Sequence, residues 1–279
     1  MTNVVACIDG SDASATVSDY AAWASLRLEA PLEFLHVLER ADYPVERDLS
    51  GSIGLGSREE LLGELANSDE KRAREAMAQG RQMLDDARQK AIADGVAEPK
   101  CTQRHGVLEE TLVEVGERIR LLILANHTQN HREHLGSHLE EVVRKTHRPT
   151  LITPAEFKAP ERMLICFDGS ETTRKAVQMV ADSPLFRGIP CHLVMVGDDN
   201  AAHQKELLWA QTTLETAGFE APAKIIDGNI EAVLTDYVSV QNIDMMVMGA
   251  YGHSVMHRFI LGSTTTGIIR NVSVPVLLL

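Results

Sequence analysis

Two segments of the chain carry the same pattern, in which a short apolar run ends in Asp-Gly-Ser. Residues 4–11 read VVACIDGS, and residues 163–170 read MLICFDGS. Later segments of the two halves match in the same order and at similar spacing, namely 32–38 with 191–196, 105–106 with 227–228, 121–125 with 245–249, 135–137 with 261–263, and 148–152 with 274–278. Because order and spacing both persist, we interpret the chain as an internal duplication.

Each half alternates short apolar runs with longer helical stretches. Five such runs with four helices between them predict an α/β fold, in which helices cover both faces of a parallel sheet. The runs lack a clean inside–outside alternation, which agrees with burial on both faces. We therefore expect two tandem Rossmann-like domains, residues 1–153 and 161–279, joined by the proline-flanked linker 154–160.

The composition argues against several classes of partner. A formal net charge of −13 disfavours non-specific binding to nucleic acid or to an anionic membrane surface. No apolar run approaches the roughly 20 residues that a membrane-spanning helix needs. The four cysteines are scattered without a C-x-x-C pair, and no basic and apolar leader precedes the first strand. These features predict a cytoplasmic protein, with Cys7 and Cys166 as unreactive thiols in buried strands.

A glycine-rich loop follows the fourth apolar run of the second half. Gly249 and Gly252 leave that run, and Gly262-Ser263-Thr264 precedes a predicted helix at residues 265–271. Glycines let backbone N–H groups approach phosphate oxygens, hydroxyls add donors, and a helix N-terminus supplies positive potential. The loop therefore predicts a phosphate-binding site in the second half.

Asp168 is expected to lie beside this loop. In an open parallel sheet, ligands bind at the carboxyl ends of strands where the connections diverge to opposite faces. If each half starts in the middle of its sheet, the strand that ends near Asp168 neighbours the strand that ends near Gly249. Asp168 could then bond a ribose or a base edge, or assist a metal near the phosphates. Equally, it could cap the following helix while Gly169 makes the turn.

These residues resemble the universal stress protein family, whose nucleotide-binding members carry G-x2-G-x9-G-S/T after the fourth strand. Gly249, Gly252, Gly262 and Ser263 match that pattern in identity and in spacing. The Asp-Gly-Ser turn matches as well, and the resemblance extends over both halves. It implies a tandem member of the family, with a five-stranded parallel sheet of order 3-2-1-4-5 in each half.

The resemblance also implies which residues bind ATP. Asp168 and the backbone near Val196 would contact the nucleoside, while Gly249, with Met248 before it, would lie against the ribose. The phosphates would be held by Gly252, Gly262, Ser263 and Thr264, with Mg2+ as a candidate companion ion. In family dimers the last strands meet, so a tandem chain would satisfy that contact within itself as a pseudo-dimer. A further homodimer is left open.

The first half departs from the family pattern in its loop. Residues 126–134 contain no glycine, and bulky side chains stand where the backbone would approach phosphate. Asp9, Gly136 and Ser137 remain, but helix starts and turns suffice to explain them. ATP binding in the usual manner of the family is therefore not expected there.

Histidines in and after the same loop suggest a metal site. They are His127, His131, His134 and His138, of which the last two have the i, i+4 spacing of ligands on one helical face. No cysteine or paired carboxylate completes a tetrahedral set. A solvated loop is the preferred interpretation.

A long segment, residues 41–98, distinguishes the first half. Its Gly/Ser-rich stretch 50–57 follows no strand and precedes no Lys-Ser/Thr, so we interpret it as a flexible cover rather than a phosphate loop. A charged helix is predicted from about residue 58 to residue 94. The matching segment 198–218 predicts a single helix, with Leu208 and Trp209 in the core.

The leading functional hypothesis is an ATP-binding stress-response or regulatory protein. The chain lacks G-x4-G-K-S/T, a carboxylate pair placed for two metals, and a clear general base, which disfavours efficient phosphoryl transfer. A slow ATPase and a scaffold whose pocket holds a different small ligand remain as alternatives. An adenylyl-transferring ligase would want H-x-G-H or S-G-G-x-D-S at the first turn, and the segment beginning at Asp168 is neither.

Overall fold

The protein is described by a computed structural model that covers residues 2–39, 58–126, 135–249 and 263–279. Within these ranges the structure does not describe the side chains of residues 58–69, 135–138, 140 and 263. The Gly/Ser-rich stretch 50–57, interpreted from the sequence as a flexible cover, lies outside the described residues.

Strands and helices alternate along the described chain. They are β1 (Asn3–Cys7), α1 (Ser14–Leu28), β2 (Leu32–Leu38), α2 (Arg58–Ala93), β3 (Lys100–His105), α3 (Leu108–Val115), β4 (Ile119–Ala125), α4 (Leu135–Thr146), β5 (Thr150–Thr153), β6 (Met163–Cys166), α5 (Glu171–Asp182), β7 (Cys191–Val196), α6 (Ala201–Thr216), β8 (Ala223–Ile226), α7 (Ile230–Val240), β9 (Met245–Met248), α8 (Ser263–Asn271) and β10 (Val276–Leu278). Short 3-10 helices lie at Gly116–Arg118 and Pro184–Phe186.

All these strands belong to one sheet, in the order β3-β2-β1-β4-β5-β10-β9-β6-β7-β8. Each half contributes its strands in the order 3-2-1-4-5, and every pairing within a half is parallel. The predicted fold class is therefore confirmed, with two Rossmann-like units in tandem. The first strand of each half lies at the centre of its unit, between the second and the fourth.

The two units join edge to edge. Strands β5 and β10 pair antiparallel, with Leu151 opposite Leu277. Both side chains are buried, and both belong to the same apolar cluster. The backbone groups that two separate sheets would expose at these edges are thus satisfied by each other.

Apolar clusters cover both faces of the sheet, as the uninterrupted apolar strands predict. One cluster lies under α1, α2, α5 and α6 and contains Tyr20 and Phe167. The other lies under α3, α4, α7 and α8 and contains Leu112 and Ile268. Burial on both faces leaves the strand ends as the places where polar groups can gather.

The segment predicted as a linker contacts both halves. The hydroxyl of Thr16 donates to the carbonyl of Ala155 at 2.8 Å, and the hydroxyl of Tyr20 donates to the carbonyl of Lys158 at 3.2 Å. The rings of Tyr20 and Phe157 meet edge to face, with centroids 4.7 Å apart. On the other side, the ammonium of Lys158 donates to the carboxylate of Asp244. The segment is therefore held by specific contacts along its length.

We predict that Leu277→Ala lowers the free energy of unfolding by about 2–5 kcal/mol, because it opens a cavity at the strand pairing that joins the halves. Leu277 is 1% exposed. The matched control is Leu208→Ala on α6, which removes the same atoms from a side chain that is 62% exposed. Urea unfolding checks both variants, and equal losses in the two would contradict the prediction.

Candidate functional site

The candidate site lies at the carboxyl ends of β6 and β9, which are neighbours in the sheet. The chain leaves β6 toward α5 on one face, whereas α8, which follows β9, lies on the other face. This is the divergence at which open parallel sheets bind ligands. The predicted convergence of Asp168 and Gly249 on one edge of the sheet follows from this strand order.

Asp168 is held by the first turn of α5. Its Oδ1 atom accepts hydrogen bonds from the Ser170 backbone N–H at 2.9 Å and from the Thr173 hydroxyl at 2.7 Å. Ser170 is the N-cap of α5, since its Oγ accepts from the Thr173 backbone N–H at 3.2 Å. Gly169 makes the turn at φ +77°, a conformation that favours glycine. The structure thus contains the capping arrangement that the sequence left as an alternative, and it orients an exposed carboxylate at the crevice.

Gly249 packs tightly against the start of α5. A methyl group added at Gly249 would lie 3.3 Å from Cγ2 of Thr172 and 3.4 Å from Cγ2 of Thr173. These distances are shorter than most Cβ contacts, so the end of β9 approaches α5 as closely as a glycine allows. Thr173 therefore bonds to Asp168 through its hydroxyl and lies close to Gly249 with its methyl group. Sequence reasoning missed Thr173, although it lies within the first turn after Asp-Gly-Ser.

Val196 and Met248 lie at the ends of the strands on either side of β6. Val196 is half-buried and packs against the cluster beneath α7 and α8. The Met248 side chain is buried in the same cluster, and its carbonyl accepts a hydrogen bond from the Leu279 N–H at 3.1 Å. In this structure Met248 supports the strand end from which Gly249 emerges.

The predicted phosphate loop is only partly described. The segment 250–262, which includes Gly252 and Gly262, lies outside the described residues. Helix α8 begins at Ser263, two residues before the predicted start. Ser263 and the half-buried Thr264 therefore belong to the first turn of this helix.

A cation–carboxylate pair borders the crevice and was not predicted. The Arg174 guanidinium pairs with the Glu206 carboxylate and lies over the Trp209 ring, 4.5 Å from its centroid. Trp209 in turn stacks on Phe167 with centroids 6.3 Å apart, so its predicted packing role is confirmed. The prediction that Leu208 is a core residue is wrong, because its side chain is 62% exposed on the outer face of α6.

The equivalent turn of the first half lies close to α2. Asp9 Oδ1 accepts from the Ser11 N–H at 3.0 Å, as Asp168 does from Ser170, and Gly10 has φ +75°. However, a methyl group added at Gly10 would lie 2.2 Å from Cε of Met83 on α2. At Gly169 the nearest such atom is Cγ of Glu206, at 3.4 Å. The two halves therefore share a turn but differ in what lies above it.

Helix α2 also descends onto the ends of β2 and β3. At Gly80 an added methyl group would lie 2.2 Å from Nε2 of Gln103 and 2.5 Å from Cδ2 of His36. His36 is buried, with Nδ1 2.7 Å from the carbonyl oxygen of Ile8. Side chains of the first half thus fill the space at these strand ends.

The histidine-based metal hypothesis receives no support from the described residues, where no group of three or more His, Cys, Asp or Glu side chains is placed to hold a metal ion. His127, His131 and His134 lie outside the described residues. His138 belongs to α4, and its side chain is among those that the structure does not describe.

Burial raises the pKa values of the cysteine thiols in the strands. Burial, together with the nearby charge of Asp9, raises the pKa of Cys7 to about 12. Burial likewise raises the pKa of Cys166 and of Cys191. High thiol pKa values agree with the prediction that Cys7 and Cys166 are unreactive.

Two cavities of the described residues lie away from the candidate site. One, of about 700 Å3, lies between α5 and α6 and includes Trp209. The other, of about 370 Å3, lies at the amino ends of β6, β7 and β8 and includes Arg162 and His192.

Among the residues that the structure describes, every helix is too short or too polar to cross a bilayer.

The fold and the crevice define a doubly wound parallel α/β protein with its candidate ligand site at a topological switch point. The family model described as "Universal stress protein family" matches residues 1–154 and 160–279. A universal stress protein of Synechocystis, Slr1230, is 33% identical over 284 residues, which cover 99% of each chain. The chain therefore belongs to the universal stress protein family.

Solved structures agree in fold. A universal stress protein from Archaeoglobus fulgidus DSM 4304 superposes with a TM-score of 0.71 at 17% identity, covering 99% of this chain and 95% of that one. A protein of unknown function from Pseudomonas aeruginosa PAO1 reaches a TM-score of 0.61 at 13% identity, covering 100% and 92%. At such identities the likeness concerns the fold.

We predict that Asp168→Ala lowers the free energy of unfolding by about 0.5–2 kcal/mol, because it removes the acceptor of two hydrogen bonds at the start of α5. Asp168→Asn keeps an Oδ1 acceptor, so a smaller loss is expected. Thermal or urea unfolding measures both variants. Wild-type stability in Asp168→Ala would mean that the carboxylate does not hold this turn.

Proposed function

We propose that the chain is an ATP-binding regulatory or stress-response protein and that the second half holds the nucleotide. The observation that carries the proposal is the crevice between β6 and β9, where Asp168 and Gly249 both lie close to Thr173. The close approach of Gly249 to Thr172 and Thr173 brings the end of β9 next to the start of α5, beside Asp168. Membership of the family and the match to G-x2-G-x9-G-S/T support the same assignment.

Each residue has a role in this proposal. The Asp168 carboxylate, already oriented by the α5 turn, accepts a hydrogen bond from the nucleoside, and the strand end at Val196 lies beside it. Gly249, supported by Met248, lets the chain pass the ribose. The phosphates are held by Gly252, Gly262, Ser263 and Thr264, the last two at the N-terminus of α8, whose dipole and free N–H groups favour anions. Mg2+, when present, offsets phosphate charge.

The first half has a different role in the proposal. Met83 lies close to Gly10, and the loop 126–134 has no glycine where the backbone would approach phosphate, so we assign no nucleotide to the first half. The first half then contributes through the sheet pairing of β5 with β10, as one member of an intramolecular pseudo-dimer. We place the division between the domains at the segment 154–160. A cytoplasmic location, the absence of nucleic-acid partners and a further homodimer stay predictions.

The regulatory function follows from the effect that a bound nucleotide would have on the connection between β9 and α8. Residues 250–262 connect β9 with α8, so bound phosphates would fix the start of α8 relative to β9. A change at that point alters the surface presented to partner proteins. Bound ATP is expected in the purified protein, and native mass spectrometry of the protein as isolated tests for it directly.

We predict that Gly252→Val and Gly262→Val each weaken ATP binding at least tenfold, since a side chain there holds backbone donors away from the phosphates. Gly136→Val is the matched control, because it changes the corresponding glycine of the first half and should leave the affinity unchanged. Isothermal titration with one site per chain, with and without Mg2+, measures all four proteins. Unchanged affinity in both loop variants would refute the site assignment.

A second measurement separates binding from hydrolysis. If the protein is a binder, steady-state phosphate release stays at the buffer rate at saturating ATP, and Ser263→Ala changes the affinity only. A release rate that exceeds the buffer rate and falls in Ser263→Ala would identify the slow ATPase instead.

A further inference from the structure

The cavity at the amino ends of β6, β7 and β8 lies at the opposite end of the sheet from Asp168. It has a volume of about 370 Å3, and its wall includes Arg162, His192, Glu220 and Gln241. That volume is within the range of small-molecule sites. Neither the family motif nor the proposed ATP site uses any of these residues.

Arg162 and His192 line this cavity, and Tyr237 and Lys224 lie behind His192. Nδ1 of His192 lies 2.9 Å from the hydroxyl of Tyr237. One guanidinium nitrogen of Arg162 donates to the carbonyl of Gln241 at 2.7 Å, which fixes the side chain and leaves other N–H groups of its five. The ammonium of Lys224 lies 5.8 Å from the centroid of the Tyr237 ring. These groups belong to the same face of the sheet as α7.

The duplication supplies an internal comparison for this wall. In each half the first strand pairs with the second in the same register, Val4 with Leu32 and Met163 with Cys191. The next position on the second strand is therefore Glu33 in the first half and His192 in the second. By the same register, Asn3 corresponds to Arg162 and Thr102 corresponds to Lys224.

The first half fills this position with its own carboxylate. Glu33 is 7% exposed, and its two oxygens accept from Asn3 Nδ2 at 3.2 Å and from the Thr102 hydroxyl at 2.8 Å. A single buried charge is thus satisfied by two neutral donors. The backbone around it has room for one carboxylate group.

The second half replaces the buried carboxylate and brings two cations to the neighbouring positions. An imidazole replaces the Glu33 carboxylate, and Arg162 and Lys224 replace the neutral donors. Among the ion pairs of the described residues, none involves either cation. Burial lowers the pKa of His192, and the charges of Arg162 and Lys224 lower it further. The result is a local concentration of positive charge in a chain of net charge −13.

We propose that this cavity binds the carboxylate of a small organic acid between Arg162 and His192. Lys224 adds attraction from beyond the Tyr237 ring, and the Arg162 guanidinium offers the fork geometry that carboxylates match. Glu220, exposed at the rim, opposes an anion and limits the affinity. The site is separate from the proposed ATP site, so either can exist without the other.

Succinate is the probe, added to the full chain at constant ionic strength. We expect a rise in melting temperature that saturates with succinate concentration, since a ligand that binds only the native state stabilises it. We also expect the pKa of His192, followed by the proton NMR signals of its ring, to rise by about one unit, because an adjacent anion favours the imidazolium. The same rise with sodium chloride alone would show general screening and overturn the proposal.

Variants separate the cavity from the rest of the surface. Arg162→Gln should weaken the succinate response about tenfold, as expected for the loss of a charged hydrogen bond. Lys205→Gln on α6, an exposed cation outside this cavity, makes the same change in net charge and should leave the response unchanged. Glu220→Gln should strengthen it. Equal responses in Arg162→Gln and Lys205→Gln would overturn the proposal.

A further variant places a carboxylate of the chain itself beside Arg162 and Lys224. His192→Glu recreates the first-half arrangement beside Arg162 and Lys224, so we expect a higher melting temperature than that of the wild type and no further rise with succinate. A wild-type response to succinate in His192→Glu would overturn the proposal. If this variant does not fold, Arg162→Gln still decides the matter, because Arg162 is only half-buried. ATP affinity, measured in parallel, should be the same in every variant.

Discussion

The antiparallel pairing of β5 with β10 is the contact on which the arrangement of the chain depends. Strands with apolar groups on both faces cannot end at an open edge without exposing unpaired N–H and C=O groups beside apolar side chains. Leu151 and Leu277 face each other across that pairing and bury the seam. Once these edges are joined, the described sheet keeps open edges at β3 and β8, and the strand ends stay available for polar groups.

The strand order was implied by the resemblance to the universal stress protein family, whereas the parallel pairing follows from local features that the duplication shows twice. Apolar runs without alternation predict burial on both faces, and strands that alternate with helices predict parallel pairing. The adjacency of Asp168 and Gly249 follows from that order, which is why two distant residues could be assigned to one crevice. The turn itself depends on neighbours within six residues, so Asp168, Gly169 and Ser170 were also within reach of sequence reasoning.

Contacts between distant segments could not be predicted from the sequence. The position of Met83 over Gly10 and the approach of α2 at Gly80 depend on how a 36-residue helix lies across strand ends, and no local pattern specifies that. The pairing of Arg174 with Glu206 has the same origin. Leu208 was misplaced because apolar residues adjacent in a helix point to different faces, and only packing decides which face is buried.

The two halves show how one backbone can carry opposite chemistry at both ends of its strands. At the carboxyl end, Gly10 and Gly169 make the same turn, yet Met83 lies close to one and the half-buried Arg174–Glu206 pair lies close to the other. At the amino end, a carboxylate in Glu33 and an imidazole in His192 occupy the same register position. Since the sheet register is shared, neither difference arises from the fold, and both arise from the side chains. Asp9 and Asp168 are both exposed at the carboxyl end, whereas at the amino end internal donors satisfy Glu33 and Arg162 keeps N–H groups that a ligand can meet.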